Sequence, residues 1–591
     1  MPALATGEQQ MNVAKRHALY CERLVAAAPR IFSQLDRDPF SSTYGSFDRE
    51  YWAWATKDFS NTDLQRAIYA LAVLYTTPFA GNRWHRMPRL LDWTMAGFEF
   101  LCRIQHRNGS FDHHYPNEFS FVGVAFPVFE AAEAFRLLDQ AGVIPDGRRA
   151  RWIEMMVRGA DFLCARDELH GFISNHRAGA ACALRAVHRI TGTGRFLRRA
   201  EELIDSVRTQ ASSAEGWINE YGGADPGYQT LATHFLANYL QFEPPDSPLF
   251  ESLIAPSVRF LQYFVHPDGS IGGEYGSRNC PLYFPAGFEL LADRLPEAES
   301  IAAAGATALA GSHTPALADT DIRNFVPLLS SYALALRATM AKGANPSVDL
   351  PHQRQFERHW PDAGLYVRSD ATHYTIVGPS KGGVVKCWDK TTGQLAFSHA
   401  GYMLQDRRRR RFSTQFLTRA PASGANDCVG EEKPLQKERV LRVRQRFYSV
   451  VHNRTASQFR FLAFRAFTFT VGRNVTLADW VKRTLITGVF IHRRRPTEFT
   501  VHRAVAFTTD GIAITDEFSG LHPAHIGSLR AGDIFATIYM ASAKYYRTQE
   551  CIDDVLSGDE LRDAVGPGHN VLRYALRDGR LRLLTQNSST G

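Results

Sequence analysis

The chain has 591 residues, more than one compact core usually holds, and its 45% hydrophobic and 22% charged residues are typical of a globular protein. The net charge of +8 favours an acidic partner over a basic one. Because no run of about 18 apolar residues occurs, we predict no membrane span.

Helical patterns fill the N-terminal part of the chain. Six apolar helical stretches each follow an Asn or Asp, the residue types that commonly cap helix N-termini. More highly charged amphipathic stretches lie between them, for example from Pro88, Gly147 and Gly194. The pattern predicts about six helical hairpins with apolar helices inside and charged helices outside, as in an (α/α) toroid or a solenoid. The expected capping residues are Asn61, Asn117, Asn175, Asp225, Asn279 and Asp321.

The C-terminal part of the chain reads as strands. After a plausible linker at 341–353, apolar and polar residues alternate in stretches rich in aromatic and β-branched residues, which predicts antiparallel sheets packed as a sandwich. The aromatic stretches at 459–472 and 533–546 are included among these strands. We therefore predict an α+β chain of two domains, a toroid over residues 1–345 and an antiparallel β-sandwich over residues 346–591.

The loops before the inner helices are rich in glycine, aromatic and hydrogen-bonding residues. Because the inner helices run parallel, these loops are expected to gather at one end of the toroid, which we call the mouth. Loops on a rigid scaffold commonly form binding sites, and helix N-termini attract anions. The plain alternative is that these glycines and aromatics only close tight turns. The candidate substrate-binding residues are His114, Tyr115, Glu118, Glu220, Tyr221, Tyr275 and Arg278, with Arg83 and His85 of the segment NRWHR as further candidates.

Three residues of successive inner hairpins are candidates for the chemistry. Asn175 and His176 adjoin in GFISNHRAGA, and Tyr228 lies 53 residues after Asn175 in the first turn of the next inner helix. Neighbouring helices pack about 8–10 Å apart, so these first turns could hold one sugar between them. The structural alternatives are that Asn175 is only a helix cap and that Tyr228 is only a packing aromatic.

This order of a toroid, an Asn-His pair, a Tyr some fifty residues later and a β-sandwich resembles the heparinase II/III-like polysaccharide lyases and their alginate-lyase relatives. The resemblance implies that Asn175 and His176 neutralise a substrate carboxylate and that Tyr228 moves a proton. It also implies a histidine from the sandwich, for which His399 in LAFSHAGYML is the nearest match, although the family's paired histidines followed by Asp are missing there.

These residue types suit β-elimination at a uronic acid. The proton beside a carboxylate becomes removable when hydrogen-bond donors and a cation stabilise the developing negative charge, and a tyrosine near cations can serve as the base. No metal motif is present, so we expect no cofactor. Two alternatives stay open. One is a glycoside hydrolase that uses two of Glu118, Glu220, Asp225 and Glu274. The other is a non-catalytic factor that binds acidic polysaccharides.

The expected partner is an acidic polysaccharide or oligosaccharide, without nucleic acid or membrane. Five arginines at 407–411 are most simply a solvated loop or sheet edge, and no nucleic-acid recognition motif accompanies them. The eight cysteines are scattered without a CxxC pair, which predicts reduced thiols, and the N-terminus lacks a signal-peptide pattern. We therefore expect a cytoplasmic protein.

Overall fold

The computed structural model describes residues 11–169, 171–340, 342–418, 423–450, 457–481, 495–509, 511–520, 526–531, 545, 571–577 and 579–584. Helices occupy the N-terminal part of these ranges, as predicted. They are α1 (Val13–Gln34), α2 (Arg49–Trp52), α3 (Ala67–Thr76), α4 (Pro88–Ile104), α5 (Phe121–Gln140), α6 (Asp146–Ala165), α7 (Ser174–Thr191), α8 (Gly194–Gln210), α9 (Pro226–Leu240), α10 (Ala255–Leu261), α11 (Ala286–Leu291), α12 (Pro296–Ala310) and α13 (Ile322–Thr339).

The inner helices form a closed ring. Helices α3, α5, α7, α9, α11 and α13 contact one another in this order, and α13 returns to contact α3. Helices α1, α4, α6, α8, α10 and α12 lie outside them. The closed ring decides between the two expected architectures in favour of the toroid. Small residues permit the close approach of neighbours: a β-carbon at Gly179 of α7 would lie 2.3 Å from the ring of Phe126 in α5.

A buried ionic cluster joins the first outer helix to the last hairpins. Arg16 of α1 donates from Nε to Glu289 of α11 at 2.8 Å and from Nη2 to Glu299 of α12 at 2.7 Å. The hydroxyl of Tyr20 donates to Glu289 at 2.9 Å. Because Arg16 is fully buried, both carboxylates are needed to compensate its lost hydration. The cluster therefore fastens the two ends of the helical domain together.

Three of the six predicted caps are correct. Asn61 caps a short 3-10 helix before α3, Asp225 accepts from the backbone N–H of Tyr228, and Asp321 caps α13. The prediction is wrong for the other three. Helix α5 is capped by Ser120 rather than Asn117, α7 begins at Ser174 before Asn175, and α11 begins seven residues after Asn279. Asn117 and Asn279 have positive φ, so their backbone turns before a helix can begin.

Antiparallel sheets follow the helices. Strands β1 (Asn219–Glu220) and β2 (Gly223–Ala224) form a small hairpin within the toroid. One sheet has five strands in chain order and the other has eight strands in the order β13-β8-β9-β10-β11-β12-β14-β15. The strands are β3 (Phe356–Trp360), β4 (Leu365–Ser369), β5 (His373–Gly378), β6 (Val384–Asp389), β7 (Leu395–His399), β8 (Tyr402–Asp406), β9 (Arg411–Ser413), β10 (Arg439–Ser449), β11 (Pro496–Thr508), β12 (Gly511–Ser519), β13 (Ile526–Ala531), β14 (Val571–Arg577) and β15 (Arg580–Leu583).

The five-stranded sheet is buried on both faces. Its residues Tyr366, Val377 and Val385 pack into the core shared with the eight-stranded sheet. Alternate residues such as Val367 and Ile376 belong instead to the core of the toroid. The two faces follow from the period-two alternation of side chains along a strand. The sandwich is therefore joined to the toroid through a continuous apolar layer.

One predicted strand is wrong. The stretch at 459–472 lies mainly in a helix, α14 (Gln458–Phe469), followed by α15 (Val475–Val481), and both are inserted between β10 and β11. Phenylalanines in FRFLAFRAFTF recur at two-residue intervals, as in a strand, and at three-residue intervals, as in a helix, so the pattern fits both structures. The stretch predicted at 533–546 lies outside the described residues except for Tyr545. The arginines at 407–411 are exposed at the turn between β8 and β9, as expected.

Candidate active site

Backbone hydrogen bonds join the loops of successive inner helices at one end of the toroid. Thr62 N–H donates to the carbonyl of Asp112 at 3.1 Å, which joins the loops before α3 and α5. Tyr221 N–H donates to the carbonyl of Phe172 at 3.1 Å, which joins the loops before α9 and α7. Ser277 N–H donates to a carbonyl of β2, which brings the next loop to the same rim. The predicted mouth is therefore present.

Asn175 lies in the first turn of α7 and is held by Glu220. Its backbone N–H donates to Oε1 of Glu220 and its side-chain Nδ2 to Oε2, both at 3.0 Å. Both residues are buried. Burial raises the pKa of Glu220 to about 8, although the two hydrogen bonds from Asn175 oppose the shift. Glu220 of the neighbouring hairpin therefore fixes the side chain of Asn175. A residue that served only as a helix cap would not need such a partner.

His176 is paired with an acid that sequence reasoning missed. Its Nδ1 lies 2.7 Å from Oε2 of Glu168, and the imidazole side chain retains 17% of its exposure. Because a carboxylate accepts hydrogen bonds, this contact places a proton on Nδ1 and leaves Nε2 for another partner. Glu168 precedes His176 by eight residues in RDELHGFISNH. Its position in a mouth loop is the sequence feature that could have identified it as a site residue.

The register of α7 and α9 sets Asn175 and Tyr228 at the same level. The thiol of Cys182 in α7 donates to the carbonyl of Phe235 in α9 at 3.1 Å. Asn175 lies seven residues before Cys182, and Tyr228 lies seven residues before Phe235. Seven residues are about two helical turns, and both helices begin at the mouth, so Asn175 and Tyr228 lie at the same level along the two helices. The side chain of Tyr228 is half-buried at the mouth end of α9.

Arg278 and Tyr221 stack on each other close to Glu220, the partner of Asn175. The guanidinium carbon of Arg278 lies 3.3 Å from the centroid of the Tyr221 ring. Arg278 is 8% exposed, and among the described residues its Nε has no hydrogen-bond partner. Burial raises the pKa of Tyr221 to about 12, and the opposing effect of Arg278 is smaller. Tyr221 is therefore a neutral phenol at ordinary pH, and Arg278 is a buried cation at the mouth.

Three predicted site residues are enclosed by the protein. Tyr275 is 1% exposed and its hydroxyl is 2.7 Å from Nε2 of His266. Glu118 is 1% exposed and accepts the backbone N–H groups of residues 113 and 114, so it shapes its own loop. His399 is 2% exposed in the sandwich core, 3.2 Å from Nη2 of Arg503, and burial holds its pKa well below the ordinary value. The structure thus corrects the expectation that these three side chains face a substrate, and the same correction applies to Glu220, whose buried carboxyl holds Asn175.

Arg83 and His85 lie at the other end of the toroid. They follow α3 in the loop before α4, where Asn82 donates to the carbonyls of Leu74 and Thr77 at the C-terminus of α3. Since the mouth is formed at the N-termini of the inner helices, this loop cannot reach it. The expectation that the two residues bind substrate at the mouth is therefore wrong.

His114 and Tyr115 lie at the mouth rim. The ring of His114 stacks on His113 at 3.8 Å, and Nη1 of Arg323 from α13 lies 3.4 Å from its Nδ1. Tyr115 packs edge-on against Phe464 of α14, with centroids 5.0 Å apart. Sequence reasoning missed Arg323 because the closure of the ring, rather than proximity in the chain, brings α13 to this rim.

The inserted helices border the rim. Arg465 of α14 pairs with Asp58 at 3.1 Å, and Asp479 of α15 pairs with Arg166 at 2.8 Å. A cleft of about 310 Å³ opens between α15 and the helical domain and reaches Glu168 from outside the ring. The sheet domain therefore contributes part of the boundary of the mouth.

Within the ranges that the structure describes, no group of three or more His, Cys, Asp or Glu residues could hold a metal ion. In the same ranges, no helix has the length and apolar character needed to cross a bilayer. The described cysteines Cys21, Cys102, Cys164, Cys182, Cys387 and Cys428 are free thiols.

Comparisons with known proteins identify the fold. The structure of a xanthan lyase from Paenibacillus matches with a TM-score of 0.50 and 11% identity over 89% of this chain and 47% of that chain. A chondroitin AC lyase of Streptomyces coelicolor gives a TM-score of 0.47 and 11% identity, with coverage of 90% and 69%. The chain thus spans about half of the xanthan lyase. It has the fold of toroid-plus-sandwich polysaccharide lyases. No protein-family model and no curated protein sequence matches it.

Proposed function

We propose that the protein is a polysaccharide lyase that cleaves a glycan containing uronic acid by β-elimination. The observation that carries this proposal is the buried guanidinium of Arg278, which stacks on Tyr221 and acts on Glu220, the partner of Asn175. Among the described residues, no carboxylate forms a salt bridge with Arg278. Burial raises the pKa of Glu220 to about 8, which lessens the negative charge around Arg278 near neutral pH. A substrate carboxylate would supply the missing counter-charge.

The proposed reaction begins at the carbon that bears the carboxylate. The phenolate of Tyr228 takes the proton from C5, and the electron pair left behind forms the C4–C5 double bond as the C4–O4 bond breaks. The phenol then returns the proton to the departing oxygen. Negative charge develops on the carboxylate during the first step, so donors that strengthen there lower the barrier.

Asn175, His176 and Arg278 are the proposed donors to that charge. Asn175 uses one Nδ2 hydrogen for Glu220, and among the described residues the second has no acceptor, so it is the hydrogen proposed to bind the carboxylate. His176 is oriented by Glu168 through Nδ1, so Nε2 is the ring nitrogen proposed to donate to the substrate. Arg278 supplies a fixed positive charge. Tyr221, with its raised pKa, is suited to hydrogen bonding and stacking rather than to proton abstraction.

The glycoside hydrolase alternative is less well supported. It needs two carboxyl groups that face the substrate. Glu118 accepts backbone N–H groups, Glu220 holds Asn175, Asp225 caps α9, and Glu274 pairs with Lys386. Each of these four carboxylates is buried and committed to a protein partner.

The proposal is tested by incubating the protein with a panel of acidic polysaccharides and following ultraviolet absorbance. Elimination creates an unsaturated uronide that absorbs, whereas hydrolysis releases reducing ends without new absorbance. We expect absorbance to rise with at least one glycan and Asn175→Ala to lower the rate by about 10²–10³-fold, as for other lost charge-stabilising donors. Asn345→Ala in the linker is the control and should retain full activity. Reducing ends without absorbance would refute elimination.

A further inference from the structure

Two buried lysines of the sheet domain enter the loop that carries Arg278. Lys381 follows β5 and is 3% exposed. Its Nζ donates to the carbonyl of Gly276 at 3.0 Å and to that of Ser277 at 2.9 Å. These two carbonyls immediately precede Arg278. Lys386 of β6 forms a buried ion pair with Glu274 of the same loop. The loop at 273–279 is therefore held from the other domain.

The same loop is connected to the start of α9. Arg278 N–H donates to Oδ2 of Asp225 at 2.7 Å, and Tyr228 N–H donates to Oδ1 at 3.0 Å. Asp225 thus joins the backbone of the proposed cation to the backbone of the proposed base. A displacement of the loop at Gly276 would move Arg278 directly and Tyr228 through this shared carboxylate.

A buried lysine is costly if it only joins two domains, because apolar residues of similar volume serve that purpose as well. Two contacts of Lys381 are with the backbone carbonyls next to Arg278, which ties its position to that residue. We propose that Lys381 is a positioning residue, which fixes Arg278 and the start of the Tyr228 helix so that the sheet domain sets the geometry of the toroid site. The kinetic part of this inference rests on the proposed function.

The charge of Lys381 acts on Asp225 as well. Burial raises the pKa of Asp225, and Lys381 opposes that rise. Glu220 and Tyr275 also face Asp225, and N–H groups of Tyr228, Arg278 and Cys280 bond to it. Ionised Asp225 accepts from both α9 and the loop. Without the charge of Lys381 the pKa of Asp225 rises further, so the acid limb of the pH profile should move to higher pH.

The test compares Lys381→Met and Lys381→Arg in the full chain, with Lys433→Met as the matched control. Lys433 pairs with Glu431 on the surface. We expect Lys381→Met to lower kcat/KM about tenfold to a hundredfold, as small misplacements of catalytic groups do, and to shift the acid limb upward. Lys381→Arg should restore both, and Lys433→Met should change neither. If Lys381→Met does not fold, Lys381→Gln removes the charge and keeps a donor.

A double variant separates positioning from general damage. Because Lys381 acts in part through Arg278, adding Lys381→Met to Arg278→Ala should lower kcat/KM by a smaller factor than Lys381→Met does alone. Full multiplication of the two losses, or an unchanged pH profile in folded Lys381→Met, would overturn the inference.

A crystal structure of Lys381→Met gives a readout that does not depend on turnover. We expect the loop at 276–278 to shift and the stack of Arg278 on Tyr221 to be lost. An unmoved stack would contradict the inference even if the wild type is a lyase. A moved stack in a protein that cleaves no acidic glycan would support the positioning role and count against the proposed function.

Discussion

Glu220 makes a prediction about stability that does not depend on any substrate. Its pKa is raised from an ordinary value of 4.5 to about 8 because the carboxyl is fully buried. Between these two values the folded protein holds a proton that the unfolded chain releases. Stability therefore falls as pH rises from about 4.5 to 8, by about 1.4 kcal/mol per pH unit from this group. Below pH 4.5 and above pH 8, Glu220 does not make the free energy of unfolding depend on pH.

Glu220→Gln removes this titration with little change in shape. Asn175 can turn its amide so that Oδ1 accepts from the new Nε2, while its backbone N–H still donates to the remaining oxygen. Relative to wild type, the variant should gain about 3 kcal/mol in free energy of unfolding between pH 5 and pH 7. Other buried acids such as Glu130 are present in both proteins, so their contributions cancel in the difference.

Urea unfolding followed by tryptophan fluorescence, at pH 5, 6 and 7, measures this difference. Lys433→Met is a control whose pH dependence should match that of wild type. Parallel curves for wild type and Glu220→Gln would refute the reasoning, because they would mean that Glu220 is ionised in the folded protein with an ordinary pKa. If the free energy of unfolding of wild type rose relative to that of Glu220→Gln as pH increases, the predicted direction of the effect would be wrong.

Two further predictions concern the helical domain. Arg16→Met should lower the free energy of unfolding by about 3–5 kcal/mol, because it leaves Glu289 and Glu299 buried without their cation. Urea unfolding measures this loss, and Arg89→Met, at the exposed start of α4, is the control. Glu168→Gln should lower kcat/KM roughly tenfold to a hundredfold, less than loss of a direct donor, because His176 loses the carboxylate that orients its ring; unchanged kinetics would remove the pair from the site.

The repeat of the toroid was predictable because it rests on local periodicity. Apolar positions such as Phe196, Ala200, Leu203 and Val207 of α8 recur at three- and four-residue intervals and are buried, while the intervening charged residues face outward. Element boundaries were less predictable. Asn117 and Asn279 fit the composition of caps but adopt positive φ in loops, and only tertiary structure distinguishes the two.

The rim of the mouth was predictable only in part. The matching of Asn175 and Tyr228 follows from parallel helices and a fixed interval, which a sequence shows. Glu168 and Lys381 act across folded contacts, and no local pattern marks them. The misplacement of Arg83 was avoidable, since a loop that follows an inner helix must lie at the end opposite the loops that precede one. His399 was predicted as a site residue from the family resemblance alone, and in the folded sheet its neighbours bury it.

The most direct test of the central claim compares Tyr228→Phe with Tyr239→Phe on a glycan that the wild type cleaves. Both variants remove one hydroxyl from α9, the first at the mouth and the second near the opposite end of the helix. Single-turnover formation of the unsaturated uronide, measured on protein with unchanged circular dichroism, should be abolished by Tyr228→Phe and retained by Tyr239→Phe. Wild-type rates in folded Tyr228→Phe would contradict the proposed chemistry.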